Sequence, residues 1–306
     1  MRPWCTILIP TFNGSRYLAA MISSVLDAAA DEHCTVLFID DASVDDTLEI
    51  ICRVSLAGTR ILRNDQNLGL FATLNKALRH VETEYVSLLF QDDLVEGEYF
   101  KQMRLLVERN QGVNFFWTGY ADINECGRVI RHGPDTGRKE LFLPGCQSWM
   151  AALQRGCIWR IGASISKTER MRYHGFRTDL PQCGDYEFLL RAIREDAFLY
   201  LERPLVKLRL HRGQASFRHG RRSIDLKEEI SVYREQRSRF EAEFDPALLL
   251  SLRRKLAYYI TRRAISQARR GFLLQAIKTL ALLRETPLSL QRGSKALTQT
   301  SATAEQ

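Results

Sequence analysis

Short apolar runs alternate with helix-like segments through the first 110 residues of the chain. Residues 5–10 form an apolar run that ends in proline, and residues 15–29 then repeat apolar side chains at every third or fourth position. The same alternation recurs before residue 110. Runs that are apolar throughout predict strands buried on both faces, as in a parallel sheet covered by helices on each side. The pattern therefore predicts an α/β fold with a Rossmann-like, mostly parallel sheet flanked by helices.

The alternation loses its regularity from about residue 112. Four further strands are predicted, at residues 113–117, 158–165, 197–201 and 205–210. One short helix is predicted at residues 186–194. A polar turn is predicted at residues 122–127. Beyond residue 220 the chain predicts three helices, at residues 224–243, 246–270 and 272–284. We therefore expect a C-terminal helical extension after the sheet.

The composition is ordinary, but the charge is unevenly distributed. Of the 306 residues, 45% are apolar and 26% are charged, which is typical of a globular protein and not of a disordered, collagen-like or coiled-coil chain. The net charge of +8 arises near the C-terminus, because residues 251–295 contain eleven basic residues and one acidic residue. The rest of the chain has 33 basic and 35 acidic residues, a balance of −2. This distribution argues against nucleic acid as a partner of the main body.

The seven cysteines show no CxxC spacing, which argues against a zinc or dithiol redox site. Cys5 and Cys34 begin apolar runs and are typical of small buried residues in a reducing compartment. The first apolar run is too short for the hydrophobic part of a secretory signal, and no stretch approaches the roughly 20 apolar residues that span a bilayer. We therefore expect a cytoplasmic protein.

Acidic residues collect where the predicted strands end. Asp40 and Asp41 follow the second strand, and Gln91, Asp92 and Asp93 follow the fourth. Ligands of open α/β sheets bind outside the carboxyl ends of the strands. Two carboxylate clusters at one edge repel each other unless a cation or a hydrogen-bonding ligand separates them, and Mg²⁺ or Mn²⁺ prefers such oxygen ligands. We therefore predict functional roles for Asp41 and Asp93.

Asp45 and Asp46 stand at the start of the second predicted helix. Aspartate at a helix start accepts hydrogen bonds from backbone amides that have no partner in the first turn. We therefore interpret these two residues as helix N-caps.

Several motifs, in the expected order, resemble glycosyltransferase family 2. They are IPTFN at residues 9–13, IDDASVDDT at 39–47, NLG at 67–69 with Asn75, FQDD at 90–93, HGFR and QCGDYEFLLR at 174–177 and 182–191, and LRLHRGQAS at 208–216. The resemblance covers roughly residues 4 to 217. It implies the GT-A fold, in which a Rossmann-like sheet carries a short acidic metal-binding motif.

The resemblance also implies a binding site for a nucleoside-diphosphate sugar. The residues implied in donor binding are Pro10, Phe12, Asn13, Asp41, Gly69, Asn75 and Asp92. Pro10 and Phe12 would line the pocket of uracil or another base. Asp41 would accept a hydrogen bond from that base, and Asp92 would touch the sugar or the ribose.

A divalent cation, Mn²⁺ or Mg²⁺, is implied beside the donor. The resemblance assigns Asp93 as its principal ligand, and His211 matches a position that reaches the metal or the pyrophosphate in some members. Gln91 departs from the family pattern, which often has an acidic residue there. We therefore expect Asp93, the two phosphates and water to form the coordination shell. Arg209 and Arg212 flank His211, and either could bind phosphate or simply lie in solvent.

Asp185 is implied as the catalytic base. The incoming hydroxyl is a poor nucleophile and must lose its proton as it attacks, and a metal offsets the charge on the departing diphosphate. Direct attack from the opposite face of the sugar inverts the anomeric configuration. Glu187 is the alternative base, but it points about 200° away from Asp185 around a helix, so both cannot face the sugar. The alternative function is a non-catalytic sugar-nucleotide or membrane-binding module.

These assignments divide the chain into four parts. Residues 1–110 would bind the nucleotide sugar, residues 111–219 would bind the acceptor, residues 220–297 would form the helical extension, and residues 298–306 a disordered tail. A UDP-sugar is the favoured donor, and a saccharide or lipid-linked molecule of cell-surface polysaccharide assembly is the expected acceptor. The extension combines leucines and aromatic residues with paired arginines, which fits an anionic bilayer at the inner face of the plasma membrane. The alternative is a helical hairpin packed on the catalytic domain.

Overall fold

The computed structural model describes residues 2–54, 58–214 and 223–285. Within these residues, ten strands form one sheet. They are β1 (Cys5–Thr11), β2 (Cys34–Asp40), β3 (Arg60–Arg63), β4 (Tyr85–Leu88), β5 (Leu94–Val95), β6 (Phe115–Ile123), β7 (Val129–Arg131), β8 (Lys139–Phe142), β9 (Ser164–Lys167) and β10 (Phe198–Arg209). The predicted tail at 298–306 and the end of the predicted extension, residues 286–297, lie outside the described residues.

The helices of the described residues alternate with the strands in the first half and follow one another at the end. They are α1 (Ser15–Ala29), α2 (Thr47–Cys52), α3 (Leu70–Leu78), α4 (Tyr99–Glu108), α5 (Cys146–Arg155), α6 (Thr168–His174), α7 (Gly184–Ala192), α8 (Ile224–Arg239), α9 (Pro246–Arg269) and α10 (Leu273–Glu285). The bounds of α1 agree with the predicted helix residue for residue. The helices predicted at 186–194, 224–243, 246–270 and 272–284 are present with shifted ends.

The strand order is β3-β2-β1-β4-β9-β6-β10-β5, with β7 paired to β6 and β8 paired to β10. β1 lies between β2 and β4 and is parallel to both, and β2 is parallel to β3. β10 is parallel to β6, whereas β9 and β5 run antiparallel to their neighbours. The carboxyl ends of β1, β2 and β4 therefore meet at one edge of the sheet.

Helices cover both faces of this sheet, so its central strand is buried at every residue. On one face α1 and α4 contribute Leu18 and Met103 to the core, and on the other α3 and α7 contribute Leu74 and Phe188. Both faces of an apolar strand can be buried only in such a three-layer arrangement. The predicted α/β class is confirmed.

Three strand predictions in the second half are confirmed only in part. Residues 161–163 form a short 3₁₀ turn, because the buried Trp159 ring fills the core beside this segment while only Ser164–Lys167 pairs with the sheet. The runs at 197–201 and 205–210 belong to the single strand β10, whose register shifts at Pro204, a residue without an N–H to donate. β6 extends to Ile123, so the predicted turn begins two residues later.

The C-terminal helices pack on the second half of the sheet domain. α9 buries a stripe of apolar side chains in the same core as α5 and α7, namely Leu249, Leu252, Leu256 and Ile260. α10 buries Ala276, Thr279 and Leu282. The packed hairpin, one of the two alternatives for this segment, is therefore present. None of the helices in the described part of the chain is long and apolar enough to cross a membrane.

Candidate active site

The loop after β1 is fastened to the loop after β4 by the side chain of Gln91. The Gln91 amide accepts a hydrogen bond from the Phe12 N–H at 2.9 Å and donates one to the Phe12 carbonyl at 3.0 Å. An amide can serve both groups at once, whereas a carboxylate can only accept. A Cβ at Gly14 would lie 2.2 Å from Gln91 Oε1, so this contact requires glycine there. The sequence identified Gln91 only as a departure from the family pattern, and its structural role was missed.

Asn13 joins the β1 loop to the loop after β2. Its backbone has a φ of +46°, which asparagine adopts more readily than most residues. The Asn13 N–H donates to Ser43 Oγ, and Asn13 Oδ1 accepts from the Val44 N–H, both at 2.9 Å. Pro10 is buried within β1, whereas the Phe12 ring is 38% exposed. Of the two predicted base-pocket residues, Phe12 is therefore the one that offers a surface.

The Asp41 carboxylate shapes the loop that leads into α3. Asp41 Oδ1 accepts hydrogen bonds from Asn64 Nδ2 and the Leu68 N–H, each at 2.8 Å. Asp41 Oδ2 accepts from the Gly69 N–H at 2.9 Å. The carboxylate is buried, so these three donors satisfy most of its capacity. A nucleotide base could reach Asp41 only by sharing an oxygen that already has a partner.

Asp40 is engaged in the same way, one residue earlier. It is fully buried and accepts hydrogen bonds from the Ser43 N–H at 2.9 Å and from the Thr11 hydroxyl at 3.2 Å. Arg63 Nε lies 3.6 Å from Asp40 Oδ2. Asp40 therefore holds the β2 loop in place.

Two of the predicted donor residues lie in α3 or just before it. Gly69 has a φ of +82°, a backbone conformation that favours glycine. Asn75 is tied to the segment before α7, because its Nδ2 donates to the Phe176 carbonyl at 2.7 Å and its Oδ1 accepts from the Phe176 N–H at 2.8 Å. Both polar atoms of Asn75 therefore have a backbone partner, and its role toward a sugar nucleotide stays a prediction.

The helix-cap interpretation holds for one of two neighbouring aspartates. Asp45 accepts hydrogen bonds from the Thr47 N–H and the Ser15 N–H at 3.1 Å each, which fastens α1 to α2. Partial desolvation opposes ionisation of Asp45, but hydrogen bonds from Thr47 and Ser15 outweigh it and lower its pKa. Asp46 occupies the N-cap position of α2 but makes no side-chain cap hydrogen bond. The prediction of a side-chain cap at Asp46 is wrong.

Asp92 and Asp93, at the end of β4, keep more free capacity. Asp93 is buried, and its Oδ1 accepts a hydrogen bond from the Arg209 N–H at 2.9 Å. Asp92 Oδ2 is bonded to His211 Nε2 at 2.9 Å. Burial and the adjacent Asp92 carboxylate raise the pKa of Asp93 well above its usual range. Two close carboxylates, one of them buried, form a site that a cation would stabilise.

His211 and Arg209 come from the end of β10 and close the other side of this site. The His211 ring packs on the Tyr17 ring with centroids 4.9 Å apart. Arg209 is buried, and its guanidinium donates to the carbonyls of Asp92, Asn124 and Glu125. Arg209 is therefore structural here, and the exposed Arg212 is the remaining candidate of the two for phosphate binding.

These side chains fit a divalent cation that a bound phosphate-containing molecule would also help to coordinate. Carboxylate oxygens with an imidazole nearby suit Mn²⁺ or Mg²⁺. No group of three His, Cys, Asp or Glu residues within 2–54, 58–214 and 223–285 is arranged to hold a metal ion by itself. That phosphates and water complete the shell around Asp93 stays a prediction.

Asp185, the predicted catalytic base, is the second residue of α7. Tyr186 N–H donates to its Oδ1 at 2.8 Å, and the Cys157 thiol donates to its Oδ2 at 3.7 Å. Desolvation raises the pKa of Asp185 despite the opposing Tyr186 hydrogen bond and the Arg160 charge. A Cβ at Gly184 would lie 2.5 Å from the Phe71 ring, so close packing requires this glycine.

Glu187, the alternative base, points into a different environment. Its carboxylate is 3% exposed and forms a two-pronged ion pair with Arg191 at 3.0 Å on both oxygens. Arg191 also donates to the carbonyls of His174 and Gly175. Glu187 thus anchors α7 to the end of α6.

Residues 157–162 connect the two carboxylate sites. Cys157 contacts Asp185 at one end, and at the other end a Cβ at Gly162 would lie 3.7 Å from Asp93 Oδ2. Arg160 lies between them, is exposed, and has its guanidinium carbon 5.3 Å from the centre of the Tyr120 ring. No carboxylate of the described residues lies within ion-pair distance of Arg160. The sequence offered no signal for this arginine, because the segment was predicted as a strand.

The fold and the acidic residues at the strand ends define a GT-A glycosyltransferase domain. The model of the family described as glycosyl transferase family 2 matches residues 6–152, just under half of the chain, and supports the resemblance that the motifs indicated. The putative teichuronic acid biosynthesis glycosyltransferase TuaG of Bacillus subtilis is 28% identical over 141 residues, which are 44% of this chain and 55% of TuaG. This chain spans between about a third and just over half of the first bacterial relatives that it matches.

Solved structures of two glycosyltransferases share the fold. S. aureus TarS 1–349, in complex with UDP-GlcNAc, superposes with a TM-score of 0.57 at 15% identity and covers 93% of this chain and 92% of that one. The mannosyltransferase PcManGT from Pyrobaculum calidifontis, in complex with GDP-Man and Mn²⁺, gives a TM-score of 0.56 at 16% identity, with 93% and 76% covered. The predicted GT-A fold is confirmed.

Proposed function

We propose that this protein transfers a sugar from a nucleoside-diphosphate sugar to a hydroxyl group of a saccharide or lipid-linked acceptor, with inversion at the anomeric carbon. One observation carries the proposal: two sites with incompletely satisfied carboxylates, Asp92–Asp93 and Asp185, lie at opposite ends of residues 157–162. A leaving diphosphate and an attacking hydroxyl need separate groups on opposite sides of the sugar. The two sites supply them.

On the donor side, Asp93 would hold a divalent cation, Mn²⁺ or Mg²⁺. Such a cation, when bound, offsets the negative charge that builds up on the departing diphosphate. His211 keeps Asp92 oriented through their 2.9 Å contact, so that Asp92 can accept a hydrogen bond from the sugar or the ribose. Coordination by His211 Nε2 would require the metal to replace Asp92 as its partner. The Mn²⁺ complex of PcManGT supports a metal in this fold.

The Phe12 edge and the Asn13–Val44 contact would frame the base and the ribose. Phe12 is the exposed ring of the β1 loop, and its backbone is held by Gln91, so the ring is presented by a rigid support. A UDP-sugar is the proposed donor. The UDP-GlcNAc complex of TarS supports this choice, whereas the GDP-Man complex of PcManGT makes a GDP-sugar the alternative donor.

Asp185 would remove the proton of the attacking hydroxyl. Burial raises its pKa, which makes the carboxylate a stronger base than an exposed aspartate. The neighbouring Glu187 is neutralised by Arg191 and does not compete for this role. Direct displacement by an activated hydroxyl gives inversion.

Arg160 would bind an anionic group of the acceptor. Its guanidinium is exposed, has no carboxylate partner among the described residues, and acts electrostatically on Asp185. Unpaired arginine in a substrate site suits phosphate or carboxylate groups. Anionic cell-surface polymers and lipid-linked acceptors carry such groups, and the biosynthetic role printed for TuaG agrees with this class of acceptor. We propose a cytoplasmic position with peripheral contact to the membrane.

A thermal-shift screen tests the proposal. UDP-, GDP- and dTDP-sugars, each with Mn²⁺, would be compared for their ability to raise Tm, since a ligand of the folded state stabilises it by mass action. The best donor would then be assayed for release of nucleoside diphosphate. No shift with any donor would contradict the proposed donor site. A shift without release, with and without added acceptors, would indicate the non-catalytic binding module instead.

A further inference from the structure

The C-terminal helices carry a charge that the rest of the protein does not balance. Residues 246–284 contain nine basic residues and no acidic residue. Lys255 and Arg263 are paired with Glu229 and Asp225 of α8. The other seven are exposed, and no carboxylate of the described residues lies within ion-pair distance of them: Arg253, Arg254, Arg262, Arg269, Arg270, Lys278 and Arg284. Such a concentration of unpaired positive charge favours an anionic partner.

The same helices also expose apolar side chains. Ten of the 21 large apolar side chains that are exposed among the described residues lie between Leu250 and Leu283. Scattered exposed apolar residues are normal on a protein surface, but a concentration of this kind marks an interaction site. The partner must therefore accept apolar side chains as well as positive charge.

The two properties share one face of α9. The residues at intervals of three or four opposite its buried stripe are all exposed and alternate between basic and apolar: Arg254, Tyr258, Arg262, Ile265 and Arg269. An open groove of about 730 Å³ runs along the last four of them. The opposite face is held in the core by Leu252, Leu256 and Ile260, so packing fixes which side of α9 points outward. This division is what an amphipathic surface helix requires.

The next helix, α10, is apolar on two faces. Its inner face buries Ala276, Thr279 and Leu282. Its outer face exposes Leu273, Leu274 and Ile277, which are 65%, 68% and 64% accessible. A helix that packed only against the domain would not need leucines on its outer side.

We infer that the outer faces of α9 and α10 bind the surface of an anionic phospholipid bilayer. Arginines with apolar and aromatic side chains suit the boundary between headgroups and acyl chains. A second copy of this chain is disfavoured as the occupant, because it would bring the same positive charge to the contact. The inference does not depend on the proposed sugar transfer, because none of these residues contacts the Asp93 or Asp185 sites.

Vesicle flotation with the full chain tests the inference. The protein would be mixed with vesicles of phosphatidylcholine alone and of phosphatidylcholine with about 30% phosphatidylglycerol, across a NaCl series from about 50 to 500 mM. We expect flotation with the anionic vesicles at low salt and progressive release as salt rises, because screening shortens to a few ångström near 1 M. Absence of flotation with anionic vesicles at low salt would overturn the inference. Equal binding to both vesicle types would overturn its electrostatic part.

Paired variants separate binding through this surface from nonspecific effects of charge and hydrophobicity. Each basic residue near an anionic surface changes partitioning by roughly fivefold, so Arg269→Gln with Arg270→Gln should weaken binding by more than about tenfold. Leu274→Asp with Ile277→Asp should do the same. The matched controls, Arg128→Gln with Arg138→Gln and Ile130→Asp with Leu143→Asp, change exposed residues outside the extension and should float like the wild type. Equal losses in variants and controls would contradict the assigned surface.

The catalytic variant Asp185→Asn keeps the two proposals distinguishable. It should float as the wild type does, whether or not it transfers sugar. Size-exclusion chromatography with light scattering, in the absence of lipid, should give a monomer. A dimer that dissociates in Leu274→Asp with Ile277→Asp would replace the bilayer by a second copy as the occupant of this surface, and would overturn the inference.

Discussion

The ends of β2 and β4 carry the same pair of residues, Asp-Asp, with opposite consequences. At the end of β2, the carboxylates of Asp40 and Asp41 are surrounded by hydroxyl, amide and backbone N–H donors that hold the following loops. At the end of β4, Asp93 has one backbone donor and Asp92 one histidine. A saturated carboxylate stabilises the fold, whereas an unsaturated one is available to a ligand. The difference lies in the donors nearby and not in the aspartates.

The start of α7 repeats the contrast within three residues. Glu187 is neutralised by Arg191 and buried, while Asp185 has the Tyr186 N–H and a thiol as its partners. Burial raises the pKa of Asp185, and the Tyr186 N–H offsets this only in part. In both regions, the residue that we assign to chemistry is the one that the fold leaves incompletely satisfied.

The largest expected effect separates Asp185 from Glu187. Asp185→Asn keeps the shape but cannot take a proton, so turnover should fall by about 10²–10⁴-fold while donor binding stays nearly unchanged. Glu187→Gln should lower Tm, because it leaves the Arg191 charge without its counterion, but folded protein should keep activity within a few fold. Steady-state kinetics and thermal unfolding check both. Full activity in Asp185→Asn with loss in correctly folded Glu187→Gln would reverse the assignment.

The next effect concerns stability at the end of β2. Asp41→Asn places an amide group against donors that now bond to a carboxylate, so unfolding free energy should drop by about 2–3 kcal/mol. Asp92→Asn is the matched control, and it should cost no more than about 1 kcal/mol, because the Asp92–His211 pair is partly exposed. Urea unfolding measures both. Equal losses would remove the contrast between the two Asp-Asp pairs.

A smaller effect is expected for acceptor recognition. Arg160→Ala should raise KM for an anionic acceptor by roughly tenfold, since a hydrogen bond to a charged group contributes about 1.5–3 kcal/mol. Hydrolysis of the donor by water should stay unchanged, because the role proposed for Arg160 is in binding the acceptor. Arg128→Ala is an exposed control that should alter neither rate. An increase in the donor KM instead would move Arg160 to the diphosphate.

The smallest effect is a stabilisation. Burial raises the pKa of Asp185 in the folded protein. As pH increases, Asp185 therefore ionises in the unfolded chain before it ionises in the folded protein. The wild type loses stability over this range, until the pH exceeds the folded-state pKa. Asp185→Asn should therefore raise Tm by roughly 1–3 °C at neutral pH. The gain should shrink as pH falls and vanish below the pKa of an unfolded aspartate. Thermal unfolding across pH measures it, and a constant difference at every pH would contradict the assigned cause.

The sequence predicted the sheet because its signals are local. Apolar runs such as residues 5–10 and the period of residues 15–29 report burial directly. It failed at residues 158–163, where an apolar run fills the core through Trp159 without pairing to a strand. Apolarity reports burial but not hydrogen bonding, so a buried turn and a buried strand look alike.

The sequence located the candidate site, but it did not distinguish the carboxylates that hold the loops from those that are available to a ligand. In the sequence, Asp41 and Asp93 are both aspartates that follow a predicted strand, so their roles look the same. Their hydrogen-bond donors distinguish them: Asn64 and the Leu68 N–H for Asp41, and the Arg209 N–H for Asp93. These partners lie 23 to 116 residues away along the chain. Contacts at such separation are set by tertiary packing, which a single sequence does not reveal.

The central claim is that the incompletely satisfied pair at the end of β4 holds the donor through a divalent cation. Calorimetric titration of UDP with Mn²⁺ and with chelator tests it most directly, in the wild type and in Asp93→Asn, which keeps an acceptor for the Arg209 N–H. The account predicts that Mn²⁺ tightens UDP binding by at least about tenfold in the wild type and has little effect in Asp93→Asn. Equal affinity with Mn²⁺ and with chelator in the wild type, or an undiminished Mn²⁺ effect in Asp93→Asn, would contradict it.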